Sequence, residues 1–225
     1  MIVYGRMLRN KIRRLRRNVQ KWVNPVRYRR ALSLNKALYS AVDSISPERF
    51  DAFNRDLLFL CRQRQYPEEY TKQWALHANR LIQTIEWLKA ETGSLLDGAV
   101  CIETGSPSVV TDIMKKSFPR FTWVNTTNDL RETWGFPDNH ADLIVSTEVL
   151  EHLSDIPEGF QDTFYQTGVK AFFKESFRVL KSGGRLFLST PNAASVVQLV
   201  ALLDGQSPWF YDLHIREYSI DELRS

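Results

Sequence analysis

Several things this chain lacks narrow what it can be. Two cysteines in 225 residues, Cys61 and Cys101, are too few for the disulfide framework of a small secreted domain. Cys101 lies in an apolar run and Cys61 in a helical pattern, so both read as reduced, buried thiols of a cytosolic protein. No run of about eighteen apolar residues occurs, which excludes an ordinary membrane-spanning helix. The basic amino-terminal stretch has neither a continuous apolar core nor a small-residue cleavage site, so it does not read as a secretory signal. Acidic residues are absent from residues 1–30 altogether.

That last absence hides inside a modest net charge of +4. Eleven of the 30 lysines and arginines fall in residues 1–30; the other 19 face all 26 acids, leaving the rest of the chain at −7. The basic character therefore belongs to the tail. Within it Leu8, Ile12, Leu15, Val19 and Trp22 form one narrow apolar stripe at helical spacing, and Asn24-Pro25 should end the helix. Such a helix suits an anionic membrane surface, with the protein peripheral to its inner face, or a protein partner. Nucleic acid ranks below these, and a solvated tail stays open.

What is present is a globular composition, 43% apolar, with room for one ordinary domain and an appendage. Ser46-Pro47-Glu48 has the order of a helix start, a capping serine, then proline, then an acid in the first turn. Phe50, Phe53, Leu57 and Cys61 mark its inner face. Pro67-Glu68-Glu69 opens a second, longer helix running to Gly93, with Tyr70, Trp74, Leu81, Ile85 and Leu88 turned inward. Residues 31–93 are thus expected to be a helical cap between the tail (1–30) and a carboxyl-terminal domain (94–225).

From there the pattern alternates between strand and helix. Ala99–Glu103 reads as a buried strand closed by the turn Glu103-Thr104-Gly105-Ser106, with a helix over Val109–Lys116. Phe121–Asn125 is a second strand and Ala141–Ser146 a third. Phe172, Phe173, Phe177, Val179 and Leu180 follow helical spacing to a stop at Gly183-Gly184, and Gly184–Thr190 is a further strand ended by Pro191. Strand, crossover helix, strand is a parallel unit, and parallel sheets bind ligands beyond the carboxyl ends of their strands. Glu148, Glu151, His152, Thr190 and Asn192 fall there. His77 and His140 stand outside any pattern.

The segments Asp142-Leu143-Ile144, Glu148–Leu153 (E-V-L-E-H-L), Arg178–Gly184 (R-V-L-K-S-G-G) and Ser189–Asn192 (S-T-P-N) follow one another in an order that resembles the class I S-adenosylmethionine (SAM) dependent methyltransferases. His214-Ile215-Arg216-Glu217-Tyr218-Ser219 resembles the H-x-R-E-Y-T/S segment of one bacterial subgroup. The resemblance spans roughly Val100 to Leu223. It implies an α/β fold, a doubly wound, mostly parallel Rossmann-like sheet with an amino-terminal helical extension. Ile220–Leu223 reads as a further helix, and the resemblance implies that the family's last two strands are missing after it, so that the chain reads as a fragment. The implied activity is SAM-dependent methylation, chiefly O-methylation of a small molecule or saccharide.

The resemblance also carries site residues. Glu103, Gly105 and Ser106 match the acid and glycine turn that meets SAM, although the later glycines of the family's loop are missing. Asp129, or Asn125 in its place, would receive the ribose hydroxyls, and Glu148 would border the cofactor. Glu148, Glu151 and His152 are spaced to share one face if a helix begins there. With His214 they are similar to the metal ligands of small-RNA terminal 2′-O-methyltransferases, which would hold Mg²⁺ or Mn²⁺. His152 as a general base, with Glu148 beside it, and a purely structural role both remain open. Two other readings follow: RNA 2′-O-methylation with the tail on phosphates, or an inactive methyltransferase-like scaffold tethered to a membrane or partner.

Overall fold

The computed structural model describes residues 45–155, 167–195 and 214–224, with 198, 202 and 204 in addition. The basic stripe of residues 1–30 and the aromatics at 160, 164, 165 and 208–211 lie outside the described residues.

Helix α1 (Pro47–Gln63) starts as its sequence dictates: the Ser46 side chain accepts from the Arg49 amide, with proline and Glu48 in the first turn. The long helix expected after Pro67 is two helices, α2 (Glu68–Leu76) and α3 (Ala78–Glu91), broken at His77. The break changes which residues face inward. Leu81, Ile85 and Leu88 are buried as expected, whereas Tyr70 on α2 is exposed.

The sheet follows as β1 (Val100–Glu103), β2 (Thr122–Asn125), β3 (Ala141–Thr147) and β4 (Leu180–Ser189), with α4 (Val109–Ser117) between β1 and β2 and α5 (Thr167–Val179) before β4. Spatial order is β2-β1-β3-β4, and every pairing is parallel. The chain leaves β1 for β2 on one side and later returns to place β3 on the other. The crevice outside the carboxyl ends of β1 and β3 is therefore a topological switch point.

Side chains alternate across the sheet with the period of a strand. Cys101, Leu143 and Val145 face a core shared with Leu57, Leu81, Ile85, Leu88, Ile113 and Met114. Ile102 and Ile144 face a second core around Trp134, Val169, Phe172 and Tyr218. Each such fully buried large side chain contributes about 1.5–3 kcal/mol. The first core runs without interruption through α1 and α3 into the sheet. Residues 47–91 thus pack as a helical layer on the sheet. Both cysteines are free and buried, and burial pushes the Cys101 thiol up to about 12.

Three local expectations are corrected. Gly183-Gly184 does not stop the helix: α5 ends at Val179 and β4 begins at once. The glycines sit in a bulge within β4, where the register to β3 shifts between Ala141 and Leu143 and Gly183 takes φ +78. The helix expected from Ile220 is a single 3-10 turn, Glu222–Arg224. Finally, no helix carries Glu148 together with Glu151 and His152. Glu148 sits in a left-handed turn at φ +56, and only Leu150–His152 forms a 3-10 turn.

Candidate active site

Two halves of the crevice differ in character. At the ends of β1 and β2 the polar groups satisfy one another. Glu103 is buried, 5% exposed, and its carboxylate accepts from the Thr111 hydroxyl at 2.5 Å and closely from the Asn125 side-chain amide. Burial nonetheless pushes it up to about 7, against the downward pull of those two hydrogen bonds. The same amide nitrogen of Asn125 lies 3.2 Å from the Gly105 carbonyl oxygen. The Gly105 amide donates to the Thr126 hydroxyl at 2.7 Å, and the Thr104 hydroxyl to Ser146 at 2.9 Å. Gly105 takes φ +97, and a β-carbon there would meet nothing within 4 Å, so the turn presents bare backbone to open space. Ser106, next to it, is exposed. α4 begins just beyond with a reciprocal cap between Ser108 and Thr111.

Asp129 lies further out and is gripped by Arg131 through both carboxylate oxygens, at 2.6 to 3.1 Å. Those bonds pull its carboxyl down to about 2.

At the ends of β3 and β4 the balance reverses. Glu151 is fully buried. Its Oε2 accepts from the Thr190 hydroxyl at 2.9 Å, while Oε1 is buried without a hydrogen-bond partner. Burial, reinforced by the nearby Glu148 charge, pushes this carboxyl up to about 7. The returning segment 214–218 fixes the cluster's shape. Its Ile215 and Arg216 amides donate to the Glu151 carbonyl, Asn192 and Tyr218 form a parallel bridge, and the Ala193 amide donates to the Tyr218 carbonyl. His214 is thereby set with Nδ1 2.7 Å from Glu217 and Nε2 4.0 Å from Glu151 Oε1. Its ring meets that of the exposed His152 edge-on at 4.9 Å. Ligand-type atoms of Glu151, His152 and His214 all lie within 4.8 Å of one another.

Glu148 is turned elsewhere. Its Oε1 accepts from the Ser189 hydroxyl at 3.0 Å and lies 3.3 Å from Arg80 Nη1. Arg80 comes from the first turn of α3, so the helical layer contributes directly to the mouth. Burial lowers the pKa of Arg80, opposed by Glu148 and Glu151; burial also lowers that of His77, helped by Arg80.

The structure therefore gathers Glu151, His152 and His214, places Glu148 beside them on Arg80, and groups Glu103, Gly105 and Asn125 across the crevice. Asp129 stays apart with Arg131. Sequence reading missed Arg80, Thr111 and Glu217. Arg80 lay among helical residues with no local signal, whereas Thr111, three residues after Ser108, was legible as a capping partner.

The parallel sheet with its crossover at the β1/β3 switch point defines a Rossmann-like domain, with the acid-glycine turn and the carboxylate–imidazole cluster at its crevice. A family model described as a methyltransferase domain matches residues 42–225, and the chain belongs to that family. No curated protein matches the sequence. Among solved structures, the YcgJ protein from Bacillus subtilis is 18% identical, with 63% of this chain and 64% of that one covered and a TM-score of 0.39. A SAM-dependent methyltransferase from Archaeoglobus fulgidus is 12% identical over 64% and 65%, with a TM-score of 0.41. The chain thus spans slightly under two thirds of either relative.

Proposed function

We propose that this protein transfers a methyl group from SAM to an oxygen of a small molecule or saccharide. The observation that carries the reading is the division of the crevice. A bare glycine turn beside a buried acid lies on β1, and an acid–imidazole cluster lies past β3. The β1 side fits the cofactor: Gly105 leaves room for close approach, and Glu103 offers acceptor oxygens to hydroxyl or amino donors. Glu103, Gly105, Ser106 and Asn125 would hold it, with Glu148 at its border toward the acceptor and Asp129 joining if it leaves Arg131.

SAM supplies an activated methyl group when bound, so this chain has to position the acceptor and remove its proton. His152, exposed at the mouth, is the base that takes the hydroxyl proton. Glu148 and Glu151 accept hydrogen bonds from the acceptor and orient its oxygen. His214, oriented by Glu217, closes the far wall. Calorimetric titration of SAM and S-adenosylhomocysteine into the full-length protein tests the reading. Micromolar binding supports it; a folded protein that gives no heat and no thermal shift with either ligand sinks it.

The 4.8 Å grouping of Glu151, His152 and His214 favours a second reading, in which these three hold Mg²⁺ or Mn²⁺ that grips the acceptor oxygens. Glu148, expected as a ligand alongside Glu151 and His152 with His214 as the fourth, lies on Ser189 and Arg80. Mn²⁺ titration followed by electron paramagnetic resonance decides: His214→Ala should abolish binding, and a wild type that binds no Mn²⁺ removes this version. Among the described residues no helix is long and apolar enough to cross a membrane. Peripheral attachment through residues 1–30 is tested by liposome pelleting with and without that segment.

A further inference from the structure

Arg80, at the helical side of the mouth, is ion-paired with Glu148 yet keeps two buried nitrogens without a hydrogen bond. Among the described residues, Arg80 Nε and Nη1 and Trp74 Nε1 are shielded from solvent and find no hydrogen-bond partner. Glu148 is close to Arg80, but its Oε1 is 3.3 Å from Nη1 without hydrogen-bond geometry and already accepts from Ser189. His77, at the break between α2 and α3, packs its ring 5.8 Å from that of Trp74. Donors withdrawn from water and left unpaired are costly, and a guanidinium more so than an indole; in native proteins such groups usually have a ligand or water to meet.

We propose that Arg80 forms a carboxylate subsite for the methyl acceptor, which would then be an acid carrying a hydroxyl. This rests on the methyl-transfer reading above. A guanidinium pairs with planar oxyanions through charge-assisted hydrogen bonds. Glu148 beside it offsets the positive charge, which disfavours a phosphate dianion more than a monoanionic carboxylate. The same Glu148 carboxylate can accept from a hydroxyl next to the bound carboxylate. Arg80 Nη1 lies 3.3 Å from Glu148 Oε1, at the β3 side of the crevice. Glu103, on the β1 side that suits the cofactor, senses Arg64 and Asp112 instead. Arg80 therefore belongs to the acceptor half. A carboxylate could also come from the amino-acid end of the cofactor itself, and the experiment separates the two.

L-Lactate, a carboxylate next to a hydroxyl, serves as the probe, against NaCl at matched ionic strength. It is added to the full-length protein with and without saturating S-adenosylhomocysteine, and the thermal midpoint is read. Lactate should raise the midpoint of the wild type and not that of Arg80→Gln, whose affinity for S-adenosylhomocysteine stays within about twofold. Arg80→Lys keeps the charge and removes the planar two-donor fork, so it should weaken the lactate response while folding normally, and it carries the test if Arg80→Gln does not fold. No lactate shift in a folded wild type overturns the proposal. So does a loss of roughly tenfold in S-adenosylhomocysteine affinity in Arg80→Gln when the decarboxylated analogue binds both proteins alike. A wild type that responds to lactate but binds no S-adenosylhomocysteine instead strikes at the methyl-transfer reading alone.

Discussion

The two halves of the crevice are built from similar residues and reach opposite electrostatic outcomes. On the β1/β2 side every strong group has an internal partner: Glu103 has Thr111 and Asn125, Gly105 has Thr126, and Asp129 has Arg131. On the β3/β4 side, among the described residues, Glu151 keeps a buried oxygen and Arg80 two buried nitrogens without a hydrogen bond. A saturated network is rigid and holds its shape before a ligand arrives. An unsaturated one carries an energetic cost that a ligand's own polar groups would relieve. The first half suits a constant cofactor; the second suits a molecule that supplies the missing partners.

The sharpest way to break this contrast is at Gly105. Gly105→Val forces a β-branched residue to φ +97 and fills the open space in front of the turn. Binding of S-adenosylhomocysteine should fall by on the order of a hundredfold, while thermal stability drops only modestly. Calorimetry beside a melting curve shows both, and unchanged affinity would remove Gly105 from the cofactor side.

Glu151→Gln probes the unsaturated half. Its folded carboxyl sits at about 7 against an ordinary value of 4.5. The native state therefore holds the proton more tightly than the unfolded chain. The stability gained from that is full below 4.5 and is lost as pH rises through about 7. A neutral amide avoids the loss, so the variant should be about 1–2 kcal/mol more stable than wild type at pH 8 and near wild type at pH 4. Urea denaturation at the two pH values gives the comparison; a variant weaker at pH 8 means that Glu151 is ionised and paired after all.

On the saturated side, Glu103 also sits at about 7, so it gains charge across neutrality. Binding of cationic SAM should strengthen severalfold between pH 6 and 8, and binding of uncharged-sulfur S-adenosylhomocysteine less. Asn125→Ala removes a hydrogen bond to the charged carboxylate and should shift that pH dependence upward while costing about 1 kcal/mol of stability. A pH-independent SAM affinity would argue that Glu103 only shapes the turn. The smallest effect is expected from Asp129→Asn, which breaks a largely exposed pair worth roughly 0–1 kcal/mol. If that substitution instead weakens S-adenosylhomocysteine tenfold, Asp129 abandons Arg131 for the cofactor.

Much of this architecture was legible in advance because it is locally encoded. The cap at Ser46, the apolar runs at Val100–Glu103 and Ala141–Thr147, and the acid-glycine turn at Glu103-Gly105 each follow from neighbours in sequence. Local rules failed where two of them competed. Lys181-Ser182-Gly183-Gly184 carries a helix-stop composition, yet pairing with β3 draws it into the sheet as a bulge. The helical period over residues 68–91 hides the break at His77 because apolar residues continue on both sides of it. Glu148, Glu151 and His152 have helical spacing, but the chain must turn sharply to leave β3, and the left-handed Glu148 ends any common face.

What the sequence by itself determined was the class: the order of strands and helices, their parallel crossovers, and which residues stand at the strand ends. Those follow from periodicity and turn chemistry, whose range is a few residues. Only the tertiary structure decided which of those residues meet. His214 reaches Glu151 because segment 214–218 bridges to Asn192, and Arg80 reaches Glu148 because α3 packs across the sheet. Whether Asp129 and Asn125 stay open or turn inward was settled by hydrogen bonds to Arg131 and Glu103. Partners of that kind are chosen by competition among all the polar groups that folding brings together, and no spacing along the chain records the outcome.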